Sequence, residues 1–331
     1  MNRNRNEGKR AKSIEGLSRR DFMKLCGGVA AAVGLEELFP IENIAQALES
    51  AVKKPPVIWL QGLNCAGCTI SLISTADPTP ASLILDKISL KYHQAIMAAA
   101  GPMAEQARED AVKEGGYVLI VEGAIPAADD RLCMVGGKSF QEILRATTRK
   151  AEVIIGAGAC AAFGGIPRGT PSKGLPVSTA VPDKTVINLS TCPVHMDHLL
   201  GTLITYLVTH RAPPLDKLNR PLMYYGQAVH ENCRRRAHFD NEEFLKDWND
   251  PQQRDWCLLE KGCKGPETYS DCPIRRWNNG INFCIDSGAP CQGCSEPEFY
   301  TENSPLYALG PATERILAKK AAGLIPKKET A

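Results

Sequence analysis

Cysteine is the residue type with the most chemistry to offer in this 331-residue chain, which contains thirteen of them. Two pairs have C-x-x-C spacing, Cys65 with Cys68 and Cys291 with Cys294. This spacing occurs in iron–sulfur sites, zinc sites and redox thiols. A disulfide framework is typical of much shorter exported chains, and the count here is odd. The cysteines therefore predict an electron-transfer protein that carries several iron–sulfur clusters.

The first group of candidate ligands consists of Cys65, Cys68, Cys160 and Cys192. Cys160 lies inside a glycine-rich turn, and Cys192 immediately precedes a proline. Each loop that carries these cysteines follows a predicted strand, and open parallel sheets bind ligands at the carboxyl ends of their strands. Four thiolates are a suitable ligand set for a cubane cluster.

The second group consists of His230, Cys233, Cys257 and Cys263. A lone histidine is more often a hydrogen-bonded structural residue than a ligand. Here it lies three positions before a cysteine in a segment that is poor in apolar periodicity, so we interpret it as a ligand. Exchange of one thiolate for imidazole tends to raise the reduction potential, which suits a site where electrons leave.

The third group consists of Cys272, Cys284, Cys291 and Cys294. A four-cysteine zinc site has similar ligand spacing, so zinc stays open as an alternative for this segment. The two other groups in the same chain favour a third cluster.

The elements that must position these residues alternate between apolar runs and helix-like stretches from residue 55 to about residue 210. This pattern is typical of βαβ units and a parallel sheet. Beyond residue 211 the chain is dense in Cys, Trp, Gly and Pro, and metal binding can supply the folding free energy that a small core does not. We expect strands over 57–60, 117–121, 153–155 and 185–189, and helices over 69–74, 104–114, 139–150 and 195–210.

The first 47 residues resemble a twin-arginine export signal. A basic start leads to Arg19-Arg20-Asp21-Phe22, then to a weakly apolar run over 25–35, and then to Ala45-Gln46-Ala47. Because this route exports folded proteins, a cofactor inserted in the cytoplasm would survive the transfer to the periplasm. Cys26 lies in this segment and receives no role.

Charge and hydropathy exclude two classes of function. The chain has 39 basic and 37 acidic side chains, so nucleic-acid binding has no electrostatic support. No stretch approaches the roughly 18 continuous apolar residues of a membrane span.

Several motifs resemble those of the small subunit of nickel–iron hydrogenases. They are Trp59-Leu60-Gln61 before the first C-x-x-C pair, Val121-Glu122-Gly123-Ala124-Ile125-Pro126, Cys160-Ala161 with Gly164-Gly165, His230-x-x-Cys233, the run from Cys257 to Pro266, and the run from Cys291 to Pro297. The last two are highly specific, and the resemblance extends from the signal to the C-terminus.

The resemblance implies a flavodoxin-like α/β domain over residues 48–211 and an irregular, cluster-stabilised domain over residues 212–331, after a signal at 1–47. It implies a proximal 4Fe–4S cluster on the first group, a distal 4Fe–4S cluster on the second group and a medial cluster on the third. Most members have a three-iron medial cluster and a proline where this chain has Cys284. A fourth thiolate can hold a fourth iron, so the chain is most similar to the nickel–iron–selenium subgroup, with a three-iron medial cluster as the alternative.

The resemblance also implies the partners. Hydrogen would be split at a nickel–iron site in a separate large subunit, since this chain has no R-x-C-x-x-C or D-P-C-x-x-C motif. We expect no catalytic residue here, only passage of electrons to an acceptor such as cytochrome c3, a multihaem c-type cytochrome. An exported zinc or disulfide protein without redox activity is the alternative from another class.

Three features fall outside the twelve ligands. We interpret Cys133 as a small buried hydrophobic residue, with a place near the proximal cluster as the alternative. Glu122 is either a packing or hydrogen-bonding group near the proximal site or an ordinary loop carboxylate. We interpret the run Arg234-Arg235-Arg236 as a solvated face, with a contribution to partner docking as the alternative.

Overall fold

A computed structural model describes residues 54–300 and 310–325 of the chain. The interpretation of residues 1–47 as an export signal lies outside the described residues. Among those that are described, no helix is both long and apolar enough to cross a membrane.

A parallel five-stranded sheet organises the first half of the described chain. Its strands have the order β2-β1-β3-β6-β7, and every neighbouring pair is parallel. Counted within the sheet alone, this is the 2-1-3-4-5 order of flavodoxin-like folds. The bounds are β1 Pro56–Gln61, β2 Ser89–His93, β3 Tyr117–Glu122, β6 Ala151–Ala157 and β7 Val186–Leu189, and the small antiparallel hairpin consists of β4 Met134–Val135 and β5 Lys138–Ser139. The predicted parallel α/β sheet is therefore confirmed.

Helices connect the strands and continue beyond the sheet. The bounds are α1 Gly67–Ile73, α2 Pro80–Ser82, α3 Pro102–Glu114, α4 Phe140–Thr148, α5 Ala159–Phe163, α6 Gly165–Arg168, α7 Met196–Thr209, α8 Leu222–Tyr225, α9 Arg236–Asp240, α10 Cys272–Arg275 and α11 Pro311–Ala321. A π-helical turn covers Leu83–Lys87, and 3-10 turns cover Asp130–Leu132, Val177–Thr179, Val229–Asn232, Pro251–Gln253, Leu259–Lys261 and Gly265–Glu267.

The four expected strands and four expected helices are all present, with shifts of a few residues at their ends. Strand β2 was not expected. Its sequence, Ser89-Leu90-Lys91-Tyr92-His93, contains polar residues because β2 is an edge strand whose first three residues are only partly buried.

Apolar side chains bury both faces of the sheet. Along β1, Val57 and Trp59 pack into one core, and Ile58 and Leu60 pack into the core on the opposite face. Successive side chains of a strand point to opposite faces, so a strand covered on both sides is a continuous apolar run. This is why the strands were recognisable from short apolar segments.

The region after residue 211 has smaller cores, and its cysteines are part of them. Cys263 and Cys291 are buried with Val229, Leu258 and Phe283. A second small core contains Cys257 together with aromatic and aliphatic side chains. The thiols therefore occupy positions that an apolar core would otherwise fill.

A buried arginine joins the segment 216–220, which follows the sheet region, to the end of the third cysteine group. Arg220 is 3% exposed and donates to Asp216 Oδ2 at 2.7 Å, to Glu296 Oε1 at 2.9 Å and to the Ser295 carbonyl at 3.0 Å. Ser295 and Glu296 directly follow Cys294, so this network fixes the C-x-x-C loop to the sheet side of the molecule.

Replacement of Arg220 by Met should lower the free energy of unfolding by about 3–5 kcal/mol, because it leaves the buried carboxylate of Glu296 and the partly buried carboxylate of Asp216 without their cation. Thermal unfolding of the purified protein measures this loss. Arg145→Met on the exposed face of α4 is the control and should change it by no more than about 0.5 kcal/mol. Equal unfolding midpoints for the two variants would contradict the structural role of Arg220.

Candidate functional site

The carboxyl edge of the sheet gathers the first group of cysteines. Cys65 and Cys68 lie in the loop after β1 and the start of α1, Cys160 lies in α5 after β6, and Cys192 lies in the turn after β7. The thiolate of Cys192 acts electrostatically on Cys160 and Cys68, and that of Cys65 acts on Cys160 and Cys192. The structure therefore brings the four predicted ligands together at one edge.

Glu122 is the hydrogen-bonding centre beneath this edge. Its carboxylate is 1% exposed and accepts from the backbone N–H of Cys68 at 3.1 Å and from Thr69 Oγ1 at 2.5 Å. Trp59 Nε1 and Gln61 Nε2 donate to the same group at 3.1 and 3.2 Å. Of the two interpretations of Glu122, the structure selects the hydrogen-bonding one, since this carboxylate fixes the backbone at Cys68.

Two glycines leave room for the sulfur atoms. Gly158 has φ +90°, and a Cβ built on it would lie 2.5 Å from Cys68 Sγ. Gly165 has φ +47°, and a Cβ there would lie 2.9 Å from Cys160 Sγ. Positive φ is readily adopted by glycine, and the two close approaches exclude any side chain, so the glycine-rich turn is required for both reasons.

Burial opposes ionisation of the thiols of Cys68, Cys160 and Cys192. It raises the pKa of Cys160 to about 12, with the neighbouring Cys192 adding to the effect, and it raises the pKa of Cys192 to about 11. The pKa of Cys68 is well above its usual value because of burial and the nearby Glu122 carboxylate. Thiolates are the metal-binding form, so a cation at this edge is needed to stabilise all four as ligands.

A small cavity lies at the second group, and all four predicted ligands line it. His230 is in the 3-10 turn Val229–Asn232, and Cys233 directly follows that turn. Burial, with Cys263 adding to the effect, raises the pKa of Cys257 to about 12, and burial raises that of Cys263 to about 11. The structure therefore brings the second group together as the sequence predicts.

The ring of His230 has a free nitrogen in this cavity. Its Nε2 is buried, and the described part of the structure gives it no hydrogen-bond partner. Burial, helped by the Arg236 cation, lowers the pKa of His230 to about 4, so the imidazole is neutral near pH 7. A neutral ring nitrogen without a partner among three thiols is what a metal cluster would require of this position.

The interpretation of the arginine run beside the second group as a solvated face was wrong for two of its three residues. Arg235 and Arg236 are each 5% exposed, whereas Arg234 is largely exposed. The Arg235 guanidinium donates to the carbonyls of Arg254 and Trp256 at 3.1 and 2.6 Å and lines the same cavity as His230. Its charge acts on Cys233 and Cys257 and favours their thiolate forms.

The third group also assembles. Cys284 acts electrostatically on Cys272, Cys291 and Cys294, so the structure places all four near one another. Burial raises the pKa of Cys291 and Cys294 well above the usual value and raises that of Cys272 to about 11. Cys284 is the most exposed of the set.

Hydrogen bonds beside the ligands link the three groups in one order. Ser190 Oγ, two residues before Cys192 of the first group, donates at 2.8 Å to the carbonyl of Ser295, which follows Cys294 of the third. The backbone N–H of Lys264, which follows Cys263 of the second group, donates at 2.9 Å to the carbonyl of Cys291 in the third. The third group therefore lies between the other two.

Lys264 is a residue that the sequence interpretation did not single out. Its side chain is 2% exposed, and burial lowers its pKa, while the thiolates of Cys263 and Cys291 act in the opposite direction. Its place beside Cys263 in a cysteine-rich motif was visible, but nothing in the sequence showed that a lysine there would be buried between two groups.

The other cysteines give no further site. Cys133 packs against the core of the sheet, and burial is the cause of its raised pKa. All twelve cysteines in the described ranges are free thiols. Within 54–300 and 310–325, no three His, Cys, Asp or Glu side chains are close enough to hold a single metal ion.

Comparisons with known proteins cover both halves of the chain. Residues 225–307 match the C-terminal family of the NiFe/NiFeSe hydrogenase small subunit, and residues 65–206 match the family of the NADH ubiquinone oxidoreductase 20 Kd subunit. The periplasmic [NiFe] hydrogenase small subunit 1 of Nitratidesulfovibrio vulgaris is 43% identical over 299 residues, which cover 88% of this chain and 93% of that protein.

This chain belongs to the NiFe/NiFeSe hydrogenase small-subunit family.

The small subunit is also similar to solved structures. A [NiFeSe] hydrogenase chain of Desulfomicrobium baculatum is 38% identical with a TM-score of 0.72, covering 78% of this chain and 99% of its own length. A recombinant [NiFeSe] hydrogenase chain of Desulfovibrio vulgaris Hildenborough is 33% identical with a TM-score of 0.71, covering 77% and 98%. Hydrogenase small subunits carry iron–sulfur clusters, in agreement with the chemistry of the three ligand groups.

Gly158→Ala should reduce the iron content of the purified protein and lower its unfolding midpoint, because the new Cβ would displace Cys68 Sγ. Gly137→Ala is a matched control, since Gly137 has φ +81° with no atom within 4 Å of the added Cβ. The control should lose about 1–2 kcal/mol of stability from the backbone alone and keep its iron. Full iron content in Gly158→Ala would show that Cys68 does not depend on this space.

Proposed function

We propose that this chain transfers electrons between a nickel–iron site in a large subunit and an external acceptor. The first, third and second groups would hold proximal, medial and distal 4Fe–4S clusters in that order. The observation that supports this order is a pair of hydrogen bonds, from Ser190 Oγ to the Ser295 carbonyl and from the Lys264 N–H to the Cys291 carbonyl, which join the third group to the first and to the second.

The residues of each group fit such a cluster. When bound, 4Fe–4S clusters supply one-electron oxidation and reduction at potentials set by their ligands, hydrogen bonds and burial. Cys65, Cys68, Cys160 and Cys192 would hold the proximal one, and Cys272, Cys284, Cys291 and Cys294 the medial one. His230 would use its unpartnered Nε2 with Cys233, Cys257 and Cys263 at the distal one.

The protein's own contribution is electrostatic. Arg235 and Lys264 place buried cations beside the second group and between the second and third groups. Positive charge near a cluster stabilises the added electron, and a neutral imidazole ligand acts in the same direction. These residues favour a higher potential at the distal end, which suits electron flow away from hydrogen oxidation, and the flow is reversible.

The partners and location are part of the proposal. The large subunit would hold the nickel–iron site, and a multihaem c-type cytochrome such as cytochrome c3 would accept the electrons. Export to the periplasm by the twin-arginine route agrees with the motif over residues 1–47 and with the name of the periplasmic relative. The domain division 48–211 and 212–331 corresponds to the sheet region and the cysteine-rich region that follows it.

The purified complex should be brown, with broad visible absorbance, and should contain about 12 iron atoms per small subunit beyond the iron of the nickel site. Iron, sulfide and zinc analysis measures this. Cys133→Ser is the control and should keep the iron content, because Cys133 packs against the sheet core. A colourless protein that contains zinc instead would contradict the proposal and support the zinc alternative.

Cys284→Pro should convert the medial cluster to a three-iron form, because it removes one of four thiolates that the structure places together. Electron paramagnetic resonance of the oxidised protein should then show a strong three-iron signal that the unmodified protein lacks. If the unmodified, intact protein already shows that signal, the medial cluster has three irons and Cys284 is not a ligand.

A further inference from the structure

Two short segments meet where the first and third groups adjoin. Residues 195–198 follow Cys192, and residues 271–276 include Cys272. His195 Nε2 is bonded to the Arg276 carbonyl at 2.7 Å, His198 Nε2 to Asp271 Oδ1 at 2.7 Å, and Arg275 Nη1 to Asp197 Oδ2 at 3.3 Å. We call this set of contacts the histidine seam.

His198 is the most constrained member of the histidine seam. Its ring is fully buried and stacks on His195 and Tyr224, with ring centroids 4.9 and 4.3 Å apart. Both ring nitrogens are hydrogen-bonded, Nε2 to Asp271 and Nδ1 to Tyr225 Oη at 3.2 Å. The ring can therefore neither slide nor turn without breaking contacts on every side.

Asp271 connects His198 to the third group. Its Oδ1 meets His198, and its Oδ2 accepts from Arg275 Nε at 2.8 Å, so both oxygens are engaged. Asp271 is the residue before α10, and Cys272 is the first residue of that helix. Trp277, whose ring lies 4.6 Å from that of His195, packs with Cys272 against the same small core.

Apart from this seam, the first and third groups are linked by the hydrogen bond from Ser190 Oγ to the Ser295 carbonyl and by the contacts of Arg220 with Ser295 and Glu296. These contacts hold the residues that follow Cys294, whereas the histidine seam holds the segment that contains Cys272. The histidine seam adds three contacts around a fully packed ring, and a buried, fully satisfied polar network of this kind rigidifies the elements that it joins.

We propose that Asp197, His198, Asp271 and Arg275 are positioning residues that fix the separation of the first and third ligand groups. The inference rests on the proposed electron-transfer function, because the rate of electron tunnelling falls steeply with distance. It adds a structural role to that function: the contacts of the histidine seam, between the sheet domain and the cysteine-rich domain, hold two successive ligand groups at a fixed distance.

The test uses His198→Phe in the complete hydrogenase complex. Phenylalanine keeps the stacking on Tyr224 and removes both hydrogen bonds of the imidazole. We expect amide hydrogen exchange over 195–198 and 271–276 to become at least tenfold faster. The magnetic interaction between the reduced proximal and medial clusters, seen as splitting or broadening in paramagnetic resonance, should change while iron content stays the same.

Leu203→Ala is the matched control, since Leu203 lies on the same helix, is 5% exposed and packs into the sheet core away from the seam. It should destabilise α7 and leave the magnetic interaction unchanged. If His198→Phe fails to fold, Arg275→Lys, which loses the paired contacts to Asp197 and Asp271 but keeps the charge, should give the same two changes.

An unchanged magnetic interaction in a folded seam variant with full iron content would overturn the proposal and leave the electron-transfer function standing. Absence of clusters from the unmodified complex would instead overturn the proposed function, and with it this inference.

Discussion

Crowding of buried thiols is the constraint on which the rest of this structure depends. Eleven cysteines and one histidine are packed into three groups, and burial raises the pKa of members of every group. Thiols in such surroundings ionise only when positive charge accompanies them, and cluster iron would supply that charge. In the cysteine-rich half, where the apolar cores are small, binding of iron would then contribute much of the folding free energy. Under the proposed function, cofactor loading and folding would be closely coupled there.

The sheet region accommodates its buried thiols in a different way. Its core is apolar on both faces and needs no metal, so it offers a rigid edge on which the first group can assemble. Holding the first group at this edge places strict requirements on a few residues. Gly158 must lack a side chain because Cys68 Sγ fills its space, and Glu122 must be buried because it holds the backbone of the same cysteine. A carboxylate with five donors around it tolerates burial that an unpaired one would not.

Polar contacts join the two halves of the chain at two places beside the ligand groups. Arg220 connects the segment 216–220 to the residues after Cys294, and the histidine seam connects the start of α7 to Cys272. Directional contacts of this kind define a geometry more narrowly than apolar packing, which tolerates sliding. Such accuracy is useful where successive electron carriers must lie at fixed distances.

The sequence by itself determined the parallel sheet and the family, and it predicted the three sets of candidate ligands that the structure brings together. Each rests on local patterns: buried strands are short apolar runs, and metal ligands recur at short spacings such as C-x-x-C and His230-x-x-Cys233. Strand β2 was not predicted because it is an edge strand and its sequence contains polar residues. Only the tertiary structure decided the burial of Arg235, Arg236 and Lys264, the role of Glu122, the middle position of the third group and the seam at His198. The physical reason is common to all of these. A charged or polar residue is buried only when partners from distant parts of the chain surround it, and no local pattern records where those partners will be.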